Sequence, residues 1–201
     1  MPFIHSLPDN PPTTTFFLLR GATQHVGGSY VTHHLAETFI QQNKKVLIFD
    51  ALLGLKNYPA KNQNTTKLVS VLQGANPLSD LITTDREIDI IAGCAQQNLN
   101  ALSLTAQQKI KSELLKLAQN YQIVIIDCPA SVTDSPFQDF DNVIYVSTPD
   151  QQTLLMTLQQ IAKQKEQKII LNRVKNDSEY NQAYLFIKNL LPKCKIIKVF
   201  K

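Results

Sequence analysis

Glycine is concentrated in one short segment of the chain, immediately before a helical pattern. Of six glycines, Gly21, Gly27 and Gly28 fall within eight residues, and none follows Gly93. Glycine accepts positive φ angles and lets other groups approach the backbone closely. The backbone N–H groups of such a loop, together with the start of a helix, bind phosphate well. We therefore expect a phosphate-binding loop over residues 21–28, between a first strand and a first helix.

Short apolar runs alternate with amphipathic helical patterns along the chain. Runs such as VLIF and IVII are continuous, which is typical of strands covered on both faces. The alternation predicts a doubly wound α/β fold, with a mainly parallel sheet of about seven strands and helices on both faces. The predicted strands are 16–20, 45–50, 88–92, 122–127, 142–147, 168–172 and 194–200, and the predicted helices include 105–121, 150–163 and 177–191, with N-caps at Thr105, Asp150 and Asp177.

Length and composition fit one folded domain. The chain has 201 residues, of which 43% are hydrophobic and 18% are charged, so it is neither disordered nor fibrous. Residues 1–15 are expected to form a flexible Pro-rich arm, and residues 16–201 a single domain. No apolar run approaches the roughly 18 residues of a membrane span, and the N-terminal residues lack the pattern of a signal peptide. We therefore expect a cytoplasmic protein with no integral membrane segment.

The cysteine and histidine residues argue against a metal centre made of these side chains. Cys94, Cys128 and Cys194 are far apart and form no CxxC pair, which also argues against a disulfide framework. His33 and His34 are adjacent and diverge by about 100° on a helix, so both cannot easily face one ion. A reducing compartment is expected.

Positive charge is concentrated towards the end of the chain. Residues 163–201 carry ten basic and three acidic side chains, a local charge of +7, whereas the whole chain has a formal charge of +4. Such a segment is a candidate surface for an anionic partner, such as lipid headgroups, nucleic acid or an acidic protein. A solvated lysine-rich face, in which the lysines of residues 195–201 discourage edge pairing of a last strand, explains the same pattern.

Several segments, in order along the chain, resemble one protein family. TQHVGGSY at residues 23–30 aligns with a loop of the form KGGVGKT[ST], KKVLIFDALLGLKN aligns with KKVLLIDADLGLAN, and QIVIIDCPASVTDS aligns with a Walker-B strand. Over residues 16–191 the sequence is similar to the MinD/ParA group of deviant Walker-A ATPases, and most similar to its FlhG (FleN) branch of flagellar-number regulators. The resemblance implies a fold of the P-loop NTPase type.

The loop departs from this family at the positions that carry its charge. Thr23 stands where the family has a lysine that reaches across the nucleotide-bridged dimer, and Gly28 stands where it has the lysine on the β- and γ-phosphates. Leu52 replaces the aspartate that positions the attacking water. Because phosphoryl transfer depends on positioning and electrostatic stabilisation, these changes predict a degenerate Walker A loop and a pseudo-ATPase. Arg20 is a candidate replacement charge, although it precedes the loop.

The resemblance also implies which residues would bind a nucleotide. Gly27, Gly28 and Ser29 correspond to the phosphate loop. Asn172 and Arg173, in the segment LNRV, correspond to the residues beside adenine. The implied ligand is ATP or ADP with Mg²⁺. An asparagine that satisfies a turn at the end of a strand is the alternative interpretation of Asn172.

A magnesium site follows from the same resemblance. Ser29 corresponds to the hydroxyl that ligates Mg²⁺, and Asp127 to the Walker-B aspartate. Asp50, at the end of another predicted strand, is also retained. The alternative is that Ser29 caps a helix and the two aspartates cap loops at strand ends.

The resemblance implies a protein that acts through its surfaces. We expect a non-hydrolysing scaffold or regulator that places, or controls the number of, a bacterial polar structure such as the flagellum. Its partner would be a protein of a polar organelle or secretion system that recruits it to the pole or the inner membrane, and the chain would be a monomer or a nucleotide-independent dimer. Three alternatives stay open: a weak but genuine Mg-ATPase that uses Arg20 or a partner's basic group, a BcsQ-like accessory protein of cellulose secretion, and a nucleic-acid-binding protein.

Overall fold

The regular structure of the chain begins at Thr15 and ends at Phe200. The computed structural model describes residues 13–21, 23, 25–51, 65–92, 102–128, 137, 140, 142–162, 164 and 166–200. Most of the expected N-terminal arm therefore lies outside the described residues. Its last residues belong to the fold, because the hydroxyl of Thr14 lies within hydrogen-bonding distance of the carbonyl oxygens of Ala118 (2.9 Å) and Tyr121 (3.0 Å).

Strands and helices alternate as the sequence predicts. The order is β1 (Thr15–Gly21), α1 (Gly28–Ile40), β2 (Val46–Asp50), α2 (Thr65–Gln73), a 3₁₀ turn (Leu78–Leu81), β3 (Thr83–Asp85), β4 (Ile88–Ile91), α3 (Leu104–Ala118), β5 (Ile123–Cys128), β6 (Val143–Ser147), α4 (Gln151–Ile161), β7 (Lys168–Val174), α5 (Asp177–Leu190) and β8 (Lys195–Phe200).

The described residues form one sheet of eight strands, in the order β3-β4-β2-β5-β1-β6-β7-β8. All neighbouring strands pair in parallel except β3 and β4, which form an antiparallel hairpin at one edge. The doubly wound α/β prediction is confirmed, with β3 as a strand beyond the seven expected. Arg86 and Glu87 turn this hairpin with positive φ angles of 47° and 69°, although neither is a residue type favoured there.

The apolar core lies on both faces of the sheet. Successive strand residues point to opposite faces, and Leu18 and Leu19 of β1 accordingly belong to different core clusters. Leu19 packs with Val31 and Ala36 of α1. The cluster of Leu18 contains buried residues of α2, α3, α4 and α5. The sheet is thus sandwiched between α1 on one face and these four helices on the other.

Side-chain caps set the starts of three helices. Asp150 caps α4 as predicted, because its Oδ1 accepts a 2.9 Å hydrogen bond from the Thr153 N–H. The N-caps predicted at Thr105 and Asp177 were wrong by one or two residues, since Ser103 caps α3 and Asn176 caps α5. Both observed caps have the extended ψ of a residue outside the helix.

Candidate functional site

The loop after β1 ends at Gly27, which has the left-handed conformation (φ 81°, ψ 31°) and is the N-cap of α1. The carbonyl of Gly27 accepts the first helical hydrogen bond, from the Val31 N–H at 3.0 Å. No side chain in the described part of the chain caps this helix, and the sequence of residues 21–30 includes no lysine or arginine. The start of α1 is therefore an anion-favouring helix end without a cationic side chain of its own loop.

Two of the predicted magnesium ligands lie side by side at this edge of the sheet. Asp50 and Asp127 are register partners on β2 and β5, and both are buried, with exposed fractions of 0% and 5%. The Ala51 N–H also donates to the Asp127 carbonyl at 3.0 Å. This arrangement follows from the sequence, because both aspartates end runs of apolar strand residues that pair in parallel.

Asp127 also lies against the first turn of α1. A Cβ placed on Gly28 would be 3.6 Å from Asp127 Oδ1, and Ser29 is the next, half-buried residue of that turn. The structure thus brings Asp50, Asp127 and the start of α1 together. Across the described residues, no group of three His, Cys, Asp or Glu side chains is arranged to hold a metal ion. A magnesium ion here would need phosphate oxygens and water besides the protein ligands, which is how proteins usually bind it.

Asn172 and Arg173 differ sharply in their surroundings. Asn172 is 1% exposed, and its Nδ2 donates a 2.9 Å hydrogen bond to the carbonyl of Val26. Arg173 has a positive φ of 60° and is exposed. The end of β7 therefore turns one side chain into the first loop and the other towards solvent.

A cavity of about 300 Å³ opens between the first loop and the ends of β6 and β7. Arg173 and Lys175 supply positive charge to it, and Asp150 and Glu179 supply negative charge. Burial alone would raise the pKa of Asp150, but hydrogen bonds from Thr148 and Thr153 outweigh it and hold that pKa below its ordinary value. The residues around the cavity are His25, Val26, Thr148, Pro149, Asp150, Arg173, Lys175 and Glu179.

Sequence reasoning missed most of this cavity. Lys175 and Glu179 come together because α5 begins directly after β7, and the Glu179 carboxylate accepts a 2.7 Å hydrogen bond from the Lys175 N–H. His25 has a positive φ of 65° and is exposed. The sequence could have indicated this cavity only through the charged residues that follow neighbouring strands, and which strands are neighbours is known only from the structure.

Leu52 and Arg20 also bear on the predicted loss of charge. Leu52 lies outside the described residues. Arg20 follows Leu19, whose side chain packs under α1, so strand alternation directs Arg20 to the opposite face of the sheet. Its Cα pairs in register with Cys128 and Tyr145, and Tyr145 belongs to the cluster on that opposite face.

Comparison with protein families identifies one whose model covers most of the chain. The model described as "Cellulose biosynthesis protein BcsQ" matches residues 15–190. Among curated proteins, the septum site-determining protein MinD of Bacillus subtilis (strain 168) is 24% identical over an alignment 165 residues long, which covers 75% of this chain and 62% of that protein. The chain thus spans less than two thirds of the length of this relative.

Solved structures share the fold. A MinC:MinD cell division protein complex from Aquifex aeolicus superposes with a TM-score of 0.66 at 19% identity, covering 92% of this chain and 81% of that chain. MinD with Mg-ADP from Pyrococcus horikoshii OT3 gives 0.60 at 19% identity, with coverages of 92% and 82%. An ATP complex of McdA from Cyanothece gives 0.61 at 15% identity, also with 92% and 82%. At these identities the likeness establishes the architecture.

Proposed function

Since this chain belongs to the family of the cellulose biosynthesis protein BcsQ, of MinD/ParA type, we propose that it binds a nucleotide weakly, does not hydrolyse it, and acts as a scaffold or regulator. The site for the nucleotide runs from the start of α1 to the cavity beside Arg173. Gly27, Gly28 and Ser29 would bind the phosphates through backbone N–H groups. Asp50 and Asp127 lie where Mg²⁺ would accompany the nucleotide.

One observation carries the proposal. The first residue of α1 is Gly28, which has no charged side chain, and the group next to it is the carboxylate of Asp127. Hydrogen bonds to charged groups contribute about 1.5–3 kcal/mol each. Groups directed at the charge of a transition state contribute more in a site that excludes water than they would in water. The partial positive charge at the start of α1 offsets only part of the loss of the two lysine contacts. We therefore propose that the loop can still bind phosphate through backbone N–H groups, but lacks the lysine side chains that would stabilise the charge transferred during hydrolysis.

The cavity supports the nucleoside end of the same site. It lies at the C-terminal ends of parallel strands, where open α/β sheets bind their ligands. Its volume of about 300 Å³ is at the lower limit of small-molecule sites. Arg173 is exposed there and offers a planar, charged surface for stacking on a base.

Two assays test the proposal on the purified chain with Mg²⁺. Fluorescently labelled ATP should bind measurably but weakly, and release of inorganic phosphate should stay at the level of a sample without protein. Gly27→Ala should weaken this binding, because a Cβ at this position is incompatible with the loop conformation. Phosphate release at rates typical of ATPases of this type would overturn the proposal.

A weak Mg-ATPase is a second candidate, favoured by the proximity of Asp50 and Asp127 to the first turn of α1. Two adjacent carboxylates and a serine hydroxyl are suitable ligands for Mg²⁺ bound to phosphates. In that case Ser29→Ala and Asp127→Asn should each abolish a measurable turnover. Turnover that survives both changes would come from a contaminant.

The matching family model is described as a cellulose biosynthesis protein, and on that basis we propose an accessory role in cellulose secretion. Placement of the flagellum, which the sequence also predicts, is the competing process. Protein partners fit either role, since a structural neighbour was solved as a complex of MinD with MinC. Deletion of the coding sequence should reduce cellulose output and leave flagellar number unchanged, and the reverse phenotype would favour flagellar placement.

Localisation and assembly are proposed on the same basis. None of the helices within the described ranges has the length and hydrophobicity of a transmembrane span. We propose that a protein partner recruits the chain to the pole or the inner membrane, and that self-association does not depend on nucleotide because Thr23 replaces the bridging lysine. Size-exclusion chromatography with and without ATP tests this, and dimerisation only with ATP would contradict it.

A further inference from the structure

The side chain of Asn172 is buried between β7 and the first β–α loop. Its exposed fraction is 1%, and its amide nitrogen donates a 2.9 Å hydrogen bond to the Val26 carbonyl, across 146 residues of sequence. The next residue, Arg173, is exposed and lines the cavity. At the end of β7 the exposed position thus belongs to Arg173, whereas the carboxamide of Asn172 holds the loop.

Gly27 shows how closely the loop approaches this carboxamide. A Cβ on Gly27 would lie 2.3 Å from Asn172 Nδ2, a distance that real Cβ atoms do not adopt. Gly27 also has a φ of 81°, which L-residues with side chains rarely adopt. Gly27 and Asn172 therefore fit together as one unit that fixes the start of α1.

The acceptor end of the carboxamide is enclosed as well. Asn172 Oδ1 has less than 1 Å² of exposed surface and makes no hydrogen bond to a described residue. A base in the cavity would need either an exposed acceptor or a free amide N–H to read its hydrogen-bonding edge. Asn172 presents neither, because one amide N–H is donated to the Val26 carbonyl, the second belongs to a side chain that is only 1% exposed, and the acceptor oxygen is covered.

We infer that Asn172 is a positioning residue of the phosphate loop, which it holds through the Val26 carbonyl, and that it does not contact the base. The part of this inference that concerns ligands rests on the proposed nucleotide site. It follows that replacing Asn172 weakens the binding of ADP and of GDP by the same factor, because both ligands depend on the loop and neither depends on the carboxamide for its base.

Hydrogen exchange of the backbone amides of residues 26–31, measured by mass spectrometry without nucleotide, tests the loop contact directly. One buried hydrogen bond corresponds to a change of about tenfold in a local opening equilibrium. Asn172→Ala should therefore speed exchange in this segment about tenfold and leave β2 and β5 unchanged. Thr157→Val is the matched control, since Thr157 is a buried hydrogen-bonding residue of α4, and its loss should not affect residues 26–31.

A double-mutant cycle with Gly27→Ala adds a test of specificity. In the wild-type background the new methyl group must displace the Asn172 amide, whereas in the Asn172→Ala background only the backbone strain remains. The effects on exchange of the two changes should thus be less than additive. Additive effects would overturn the inference. If Asn172→Ala does not fold, Asn172→Ser takes its place in both measurements.

Titration of labelled ADP and GDP distinguishes positioning from base contact. A changed ratio of the two affinities in Asn172→Ala, with exchange of residues 26–31 as in the wild type, would assign the residue to the base and overturn the inference. If the wild-type chain binds neither nucleotide, the proposed function fails, while the exchange data still decide the role of Asn172 in the loop.

Discussion

The Oδ1 atom of Asp127 lies 3.6 Å from the point that a Cβ on Gly28 would occupy. This separation is an ordinary van der Waals contact, and Gly28 does not have the positive φ of its neighbour Gly27. Packing and backbone conformation therefore allow a side chain at the first position of α1. The fold therefore does not require glycine at this position, and a lysine could be accommodated there.

Gly28→Lys should consequently strengthen nucleotide binding. A restored charge-assisted contact of about 1.5–3 kcal/mol corresponds to about 10- to 100-fold tighter binding of ADP. Isothermal titration calorimetry with Mg-ADP measures this change. Gly28→Ala is the control, because it adds the same Cβ without the charge. An affinity of the lysine variant no higher than that of the alanine variant would show that the loop does not hold phosphate.

The strands around this site were predictable because burial on both faces leaves a direct trace in the sequence. All five residues of β2 and all six of β5 are buried, and both strands appear as continuous apolar runs that lead into an aspartate. β3 was not predicted, since Thr83–Asp85 is three residues long and has no buried residue. Its pairing depends on a turn at Arg86 and Glu87, which lack the glycine or asparagine that usually indicates such a turn.

The candidate site was predictable only in part, for a related reason. The positive φ of Gly27 follows from the clustering of glycines, which is a local signal. The contact between Asn172 and Val26 joins positions 146 residues apart, and no local pattern indicates it. The same holds for the cavity, since His25, Asp150 and Arg173 meet only because β1, β6 and β7 are neighbours in the sheet.

The link between Tyr121 and Asp89 gives a prediction about stability. The Tyr121 hydroxyl donates a 2.7 Å hydrogen bond to Asp89 Oδ2, and Tyr121 is 3% exposed. Tyr121→Phe should lower the free energy of unfolding by about 1–2 kcal/mol, because a half-buried carboxylate loses its donor. Urea denaturation at pH 7 measures this, with Tyr184→Phe on the exposed side of α5 as control. Equal stability of the two variants would contradict the prediction.

The same tyrosine should make stability depend on pH under alkaline conditions. Burial, followed by the hydrogen bond to Asp89 and its negative charge, raises the pKa of Tyr121 above the ordinary value of 10.0. The folded state thus retains a proton that the unfolded chain releases, so this contribution is complete below pH 10 and decreases as the pH rises further. The difference in unfolding free energy between wild type and Tyr121→Phe should therefore shrink above pH 10. A constant difference would argue against the pKa assignment.

Asp150 should contribute to stability in the opposite pH range. Burial tends to raise its pKa, but hydrogen bonds from Thr148 and Thr153 lower it below the ordinary value of 3.8. Its cap on α4 is therefore retained above that value and is lost as the pH falls through the lower pKa of the folded state. Asp150→Ala should cost about 1 kcal/mol at pH 7. Asp150→Asn, which keeps the cap but has a single acceptor oxygen and no charge, should cost less than Asp150→Ala at pH 7 and lack the acid dependence of the wild type in thermal melts.

Cys194 provides a test of packing at the start of β8. Burial raises the pKa of its thiol to about 11, although the positive charge of Lys188 opposes the shift. Because the thiolate is the reactive form, iodoacetamide at pH 8 should label Cys194 readily in urea and hardly at all in the native protein. Native labelling should increase as the pH approaches 11. Mass spectrometry of the peptide that contains residue 194 measures the labelling, and equally fast labelling of native and unfolded chains at pH 8 would show that the thiol is accessible.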